Sequence, residues 1–196
     1  MQTRFNQIVA ACALSTASLL AMGGAFAAPA VYEIENNHTF PKFEVSHNGF
    51  SFHTGTFTKT SGRITMDLEA KTGSMDVTIA TADITTGVGV MEAALKGKDF
   101  FNAEQFPTMS YKGTRFNFDG AKLVSVDGEF TLLGVTRPLS LTVTNFVCGQ
   151  HPRSKKEECG ANAVGQIKRS DYGMKAYLPI IGDDIKLMIQ TEAYKQ

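Results

Sequence analysis

A surplus of charge of either sign is missing from this chain: 19 Lys and Arg balance 19 Asp and Glu over 196 residues. That balance excludes the basic footprint of a nucleic-acid binder and the acidic tail of a solvating chaperone. Charged residues are also scarce, at 19%, against the roughly 25% usual for soluble proteins, while hydrophobic residues reach 43%. A chain of this kind is not disordered, and its length suits one domain with a real core. The one basic cluster, Arg153-Ser154-Lys155-Lys156, is followed at once by Glu157-Glu158 and reads as a solvated loop. Tryptophan is absent and there are only 3 cysteines. Catalytic signatures are absent as well: there is no Gly-x-Ser-x-Gly, no Cys-x-x-Cys and no His-Glu-x-x-His. Gly87-x-Gly89 starts a dinucleotide-like pattern, but Glu92 stands where the third glycine belongs.

What is present begins with an export signal. Within residues 1–27 the only charge is Arg4, followed by an apolar Ala/Leu-rich stretch from Ile8 to Met22, then Gly23-Gly24 and Ala25-Phe26-Ala27. Small side chains at Ala25 and Ala27 suit signal peptidase, so cleavage is expected before Ala28, delivering residues 28–196 to the periplasm as one domain. A retained anchor would need about 20 strongly apolar residues, which Ser15, Thr16, Ser18 and the glycine pair interrupt. Val9-Ala10-Ala11-Cys12 resembles a lipobox, but too few apolar residues precede it. Loss of the signal removes Cys12 and leaves Cys148 and Cys159, which in an oxidising compartment most simply form one local disulfide. A zinc site would need more ligands than this pair and His151 supply.

Period-two alternation recurs along the mature chain and marks half-buried strands. Phe43 and Val45 share a face, as do Ile64, Met66 and Leu68, then Val77 and Ile79, then Met109 and Tyr111. Phe116 with Phe118, Phe130 with Leu132, Leu139-Leu141-Val143 and Ile185-Leu187-Ile189 continue the series. Turn signals separate them at Asn48-Gly49, Lys71-Thr72-Gly73, Asp119-Gly120, Leu133-Gly134 and Gly182-Asp183-Asp184. Such short spacings suit an antiparallel meander, hence a sandwich or an up-and-down barrel. Asp127-Gly128 also reads as a turn, although its flanks equally suit one strand bent at Gly128. The β pattern breaks between Gly87 and Pro107, where Met91 and Leu95 are four apart among good helix formers and Gly97 is placed to stop the helix. Asn102 and Gln105 have capping-box spacing for a short second turn.

Four histidines remain: His38, His47, His53 and His151. His47 and His53 would share a strand face unless Asn48-Gly49 turns the chain, and no third residue at a telling spacing completes a metal site. Asp183-Asp184 reads as a solvated acidic turn. Nothing calls for a cofactor or a metal, and a binding protein is expected rather than an enzyme.

Read in order, these segments resemble the YceI-like family of bacterial polyisoprenoid-binding, lipocalin-like proteins. The resemblance rests on Phe43-Glu44-Val45-Ser46-His47-Asn48-Gly49 with Gly55-Thr56-Phe57 and Gly62-Arg63-Ile64, and on Lys98-Asp99-Phe100-Phe101 with Phe106-Pro107. It rests further on the run from Gly128 through Leu133-Gly134-Val135-Thr136-Arg137-Pro138 to Leu141, and on the end of the chain from Ser170-Asp171-Tyr172-Gly173-Met174 through Ile185 to Glu192. It keeps Gly128 inside a strand. It implies an all-β, eight-stranded antiparallel lipocalin-like barrel with a small helical layer, holding a long-chain isoprenoid or other lipid in the periplasm. Two departures stand out: an apolar helix at Val88 to Leu95, where the family often has a charged one containing histidine, and a longer, polar loop between Cys148 and Cys159.

An eight-stranded barrel is just wide enough to be filled by its own side chains or to hold one slender ligand. With 14 Phe and 8 Met, this chain suits either a deformable apolar lining or an ordinary core. If a ligand is held, alternation places Phe43, Val45, Ile64, Met66, Val77, Ile79, Met109, Tyr111, Phe130 and Leu141 around it, with Met91 and Leu95 near the mouth. The leading expectation is a non-catalytic periplasmic carrier or buffer of a polyisoprenoid, quinone or similar amphiphile, with transient membrane contact. The alternatives are a filled-barrel interaction module and, less favoured, an enzyme without a recognisable motif. A homodimer is expected if the sheet leaves an edge that needs cover.

Overall fold

The computed structural model of the protein describes residues 29–196; the expected signal peptide and its cleavage site lie outside them. Eleven strand segments, β1 (Ala30–Ile34), β2 (Phe40–His47), β3 (Ser51–Phe57), β4 (Thr60–Asp67), β5 (Thr72–Ala80), β6 (Ile84–Thr85), β7 (Thr108–Asp119), β8 (Lys122–Leu132), β9 (Val135–Gln150), β10 (Glu157–Lys168) and β11 (Ile181–Lys195), form one antiparallel sheet. The sheet closes because β11 pairs with β1 near its end, at Ala193 to Lys195, and with β2 over Ile181 to Gln190. β1 and β2 are therefore one interrupted strand. β4 and β3 follow them as a second, β5 and β6 as a third, and the whole is an eight-stranded up-and-down barrel.

Buried threonines stand at these interruptions: Thr39 and Thr81 are each 1% exposed and Thr60 is 2% exposed. A break in a ladder frees backbone groups that must find other partners. The Thr60 amide donates to the Asn36 side-chain carbonyl at 2.7 Å, and the Thr81 hydroxyl donates to the Phe106 carbonyl at 2.7 Å. The breaks let the third strand leave β7: β5 pairs with β7 as far as Ala80 and Thr108, and beyond that β6 stays with β3. The resulting gap is closed by α1 (Gly89–Lys96) and the segment after it. Gly97 caps α1, as its position implied, through its amide to the Ala94 carbonyl. Phe101 then turns inward, 8% exposed, against Phe57 at 5.3 Å and Phe43 at 6.0 Å between ring centroids.

The alternation largely holds. Gly128 lies inside β8, opposite Gly113, and the turn falls at Leu133-Gly134, both at positive φ. Three expectations need correction. Gly182-Asp183-Asp184 is not a turn; it lies within β11, where the register to β2 slips between Ile181 and Ile185 in a bulge. Leu68 belongs to the turn after β4 and is 42% exposed, while Thr72 and Gly73 already start β5. Asn102 and Gln105 bond each other side chain to side chain in a non-helical turn, because Asn102 takes a positive φ that ends any helix there.

Cys148 and Cys159 are direct partners across β9 and β10 and form the disulfide, with Cα atoms 4.1 Å apart. The loop between them is the tip of a long hairpin. His151 accepts the Arg153 and Ser154 amides there.

Candidate functional site

Inward residues of a barrel wall must meet in the middle, and here they do not fill it. Two apolar chambers lie end to end. The larger, ≈ 390 Å³ and partly open to solvent, sits under α1; the smaller, ≈ 110 Å³, sits toward the disulfide end. Pro41, Ile79, Tyr111, Leu141 and Ile189 belong to the walls of both and form a waist. Tyr111 is fixed there: its hydroxyl lies 2.9 Å from the Val126 carbonyl and 3.1 Å from that of Leu139, so one hydrogen is shared between two acceptors. Burial, with the Asp127 carboxylate beyond, pushes the phenol far above its ordinary range and keeps it neutral.

The residues expected to face the interior divide between the chambers. Phe43, Val45, Met109 and Phe130 wall the larger one together with Met91 and Leu95, which α1 turns toward it. Ile64, Met66 and Val77 wall the smaller one, and Ile79, Tyr111 and Leu141 wall both. Cys159 also faces the smaller chamber.

Sequence reasoning missed other parts of the wall. Leu132, Leu139, Ile185, Leu187 and Ile189 lie on strand faces that the alternation marked, but nothing in their spacing told which end of a barrel they occupy. Phe57, Phe101, Met174 and Arg169 carry no such signal. Arg169 starts the short 3-10 turn Arg169–Tyr172 and is 2% exposed. Its Nε donates to Gly182 O at 2.8 Å and its Nη1 to Met174 O at 3.1 Å; its Nη2 donates to Ala176 O at 2.9 Å and Ile181 O at 2.8 Å. The guanidinium thus gathers the segment ahead of β11 and presents a buried cation at the wall. Burial works against that charge and lowers its pKa, with the Asp183 carboxylate opposing the shift.

The mouth is ringed by side chains that are apolar and exposed. Phe50 (93%) and Phe52 (68%) stand on the β2–β3 hairpin, Val90 (83%) at the start of α1, and Tyr177 and Ile180 before β11. Each is a wall residue or lies within three residues of one: His47, His53, Met91 or Ile181. His47 and His53 face inward at this mouth and stack across the hairpin with ring centroids 4.6 Å apart. Among the described residues no group of three or more His, Cys, Asp or Glu side chains is placed to hold a metal ion. What this arrangement can do is enclose a flexible apolar chain and leave its end at the open mouth.

A protein-family model described as "YceI-like domain" matches residues 32–193. Protein YceI of Escherichia coli O157:H7 is 31% identical over 185 residues, covering 93% of this chain and 96% of its own. Among solved structures, BcnA of Burkholderia cenocepacia superimposes with a TM-score of 0.67 at 20% identity, over 81% of this chain and 98% of its own. A polyisoprenoid-binding domain from Saccharophagus degradans gives a TM-score of 0.65 at 18% identity, over 84% and 98%. At those identities the two structures share the fold with this chain.

Proposed function

The chain belongs to the YceI-like family, and from that premise we propose that it is an exported, non-catalytic carrier or buffer of one long-chain amphiphile. A polyisoprenoid or a quinone tail fits best. The observation that carries this reading is the unfilled apolar interior, an upper chamber of ≈ 390 Å³ and a lower one of ≈ 110 Å³ that share Pro41, Ile79, Tyr111, Leu141 and Ile189 in their walls. A size of this order suits small-molecule pockets, which run from roughly 300 to 1,000 Å³. The Saccharophagus degradans neighbour of the same fold, described as a polyisoprenoid-binding domain, supports the ligand class.

The energetics are sufficient without a strong head-group contact. Each buried CH₂ contributes about 0.8 kcal/mol, so one isoprene unit contributes on the order of 3 kcal/mol. Micromolar affinity corresponds to about 8 kcal/mol, with several more lost to immobilising the chain, so roughly four buried units suffice. The exposed Phe50, Phe52 and Val90 around the mouth suit transient contact with a membrane during loading. Arg4, the apolar stretch after it and Ala25-Phe26-Ala27 support delivery to the periplasm.

Organic extraction of the natively purified protein followed by mass spectrometry tests the reading. The expected result is one class of long-chain amphiphile at a fixed ratio to protein. Extracts free of lipid, from a protein that takes up none when it is offered, would favour a filled-barrel interaction module instead.

A further inference from the structure

Scattered apolar side chains on a surface are ordinary, but a contiguous set marks a contact. Three segments surround the open mouth of the upper chamber: the β2–β3 hairpin at 48–53, α1 with the two residues after it, and 174–181 ahead of β11. Each holds large apolar groups out in water: Phe50 and Phe52 on the first, Val88 and Val90 on the second, Tyr177 and Ile180 on the third. The helix is thus apolar on two sides, since Met91 and Leu95 line the chamber while Val88 and Val90 stay in solvent.

These groups are fixed where they stand. Asn48 and Gly49 take φ values of 55° and 72°, and the Phe50 amide donates to the His47 carbonyl at 3.1 Å, so a closed hairpin turn holds the Phe50 ring outward. The Asn48 amide donates to the Ile180 carbonyl at 2.8 Å. Tyr177 donates to the Asp99 carboxylate at 3.1 Å and stacks on Phe100 with ring centroids 5.8 Å apart. The three segments are braced against one another as one platform.

Charge on the platform favours one sign. The segments carry exposed Lys96, Lys98 and Lys175, none of them in an ion pair among the described residues, and one acid, Glu92. Glu92 accepts from Thr85, Thr86 and Gly87, and the next acid, Asp99, accepts from Tyr177. Both carboxylates are turned onto protein donors; the ammonium groups are not.

A second protein surface fits this arrangement poorly. The apolar groups stand on separate tips around an opening, whereas a stable protein interface packs about 800 Å² on each side without such a gap. A bilayer interface is fluid, fills in around projecting side chains and offers lysines a negative surface. The opening also leads into an apolar chamber, and a tail leaving it through water would lose about fourfold in equilibrium for each CH₂ group exposed.

We propose that this end of the barrel docks on anionic bilayers. Phe50, Phe52 and Val90 seat among the lipid head groups, Lys96, Lys98 and Lys175 lie beside their negative charges, and the mouth of the upper chamber faces the membrane. The use of this contact for loading and release rests on the carrier reading; the contact itself does not.

Co-sedimentation of the purified protein with lipid vesicles tests it. Vesicles of phosphatidylglycerol and phosphatidylethanolamine are expected to bind at least about tenfold more tightly than vesicles of phosphatidylcholine, since each lysine near an anionic surface contributes about fivefold. The preference should shrink in high salt. Phe50→Ser with Val90→Ser should weaken binding to the anionic vesicles about tenfold and leave the unfolding midpoint unchanged. Lys96→Gln, Lys98→Gln and Lys175→Gln together should abolish the preference for anionic vesicles. The proposal is overturned by failure to bind either vesicle, by binding that the serine pair leaves intact, or by an anionic preference that survives the glutamine triple. A dimer in lipid-free buffer that the serine pair dissociates would also overturn it and give this face to a second copy. Lipid extracted from a protein that fails to dock leaves the carrier reading standing and the docking surface refuted; a lipid-free protein that still docks does the reverse.

Discussion

Gly128 of β8 stands opposite Gly113 of β7 with no side chain between them. A Cβ on Gly128 would meet the Lys112 carbonyl oxygen and lie 2.9 Å from the Gly113 Cα, backbone that cannot swing aside. The two strands approach here more closely than a side chain permits, their register slips just beyond, between Gly113 and Arg115, and Phe130 and Leu132 further along β8 reach the wall of the upper chamber. Gly128→Ala should therefore lower stability by about 1–3 kcal/mol, as overpacking does. Urea unfolding of the two proteins side by side is the check; an unchanged midpoint would show that the backbones can separate at no cost.

The disulfide joins register partners at the far end of the barrel, close to the β10–β11–β1 seam. Its loop is short, with a sequence separation of 11, so the bridge is worth about 2–3 kcal/mol at most on chain-entropy grounds. Cys148→Ser is expected to lower the melting temperature and leave the circular dichroism of the folded state unchanged. Loss of the fold would mean that the hairpin depends on the bridge rather than on its ladder.

Much of this fold is legible in the residues. Phe43 and Val45, Met109 and Tyr111, or Leu139 and Leu141 alternate so regularly that their inward faces follow from period two alone. Gly182-Asp183-Asp184 misleads because a bulge and a turn use the same residues; what separates them is the bond from Ser170 to Asp183, thirteen positions away. The interruptions near Asn36 and Thr81 leave no local mark, since each is a small polar residue whose side chain catches a backbone group from another segment. At the site, the apolar wall was readable and the buried arginine within it was not. Arg169 looks like one more basic residue beside Lys168, and only the carbonyls gathered ahead of β11 reveal that it is buried.

Acid stability has a local signature on the outer face of β7 and β8. Asp127 accepts Asn117 Nδ2 at 2.8 Å and Arg115 Nη2 at 2.7 Å. Bonds from Asn117, then Ser140 and Arg115, hold its carboxyl down at about 2. A carboxylate depressed on folding stabilises the native state above its unfolded pKa of about 3.9, and that contribution fades as the pH falls toward the folded value. Asp127→Asn should be less stable than the parent at neutral pH, with the gap closing between about pH 4 and 2. Urea midpoints across that range decide it, and a gap independent of pH would show that charge plays no part.

Ile79 belongs to the wall of both chambers and is 6% exposed, so a larger side chain there would project into the waist. The most direct test of the central claim is the amount of lipid bound per chain in Ile79→Phe and in the parent, read by native mass spectrometry alongside their unfolding midpoints. A carrier with an open interior predicts that the variant folds with little loss of stability and holds less lipid, or lipid with shorter tails. A lipid-free parent, together with a variant destabilised by the ~1–3 kcal/mol typical of an overfilled core, would contradict it.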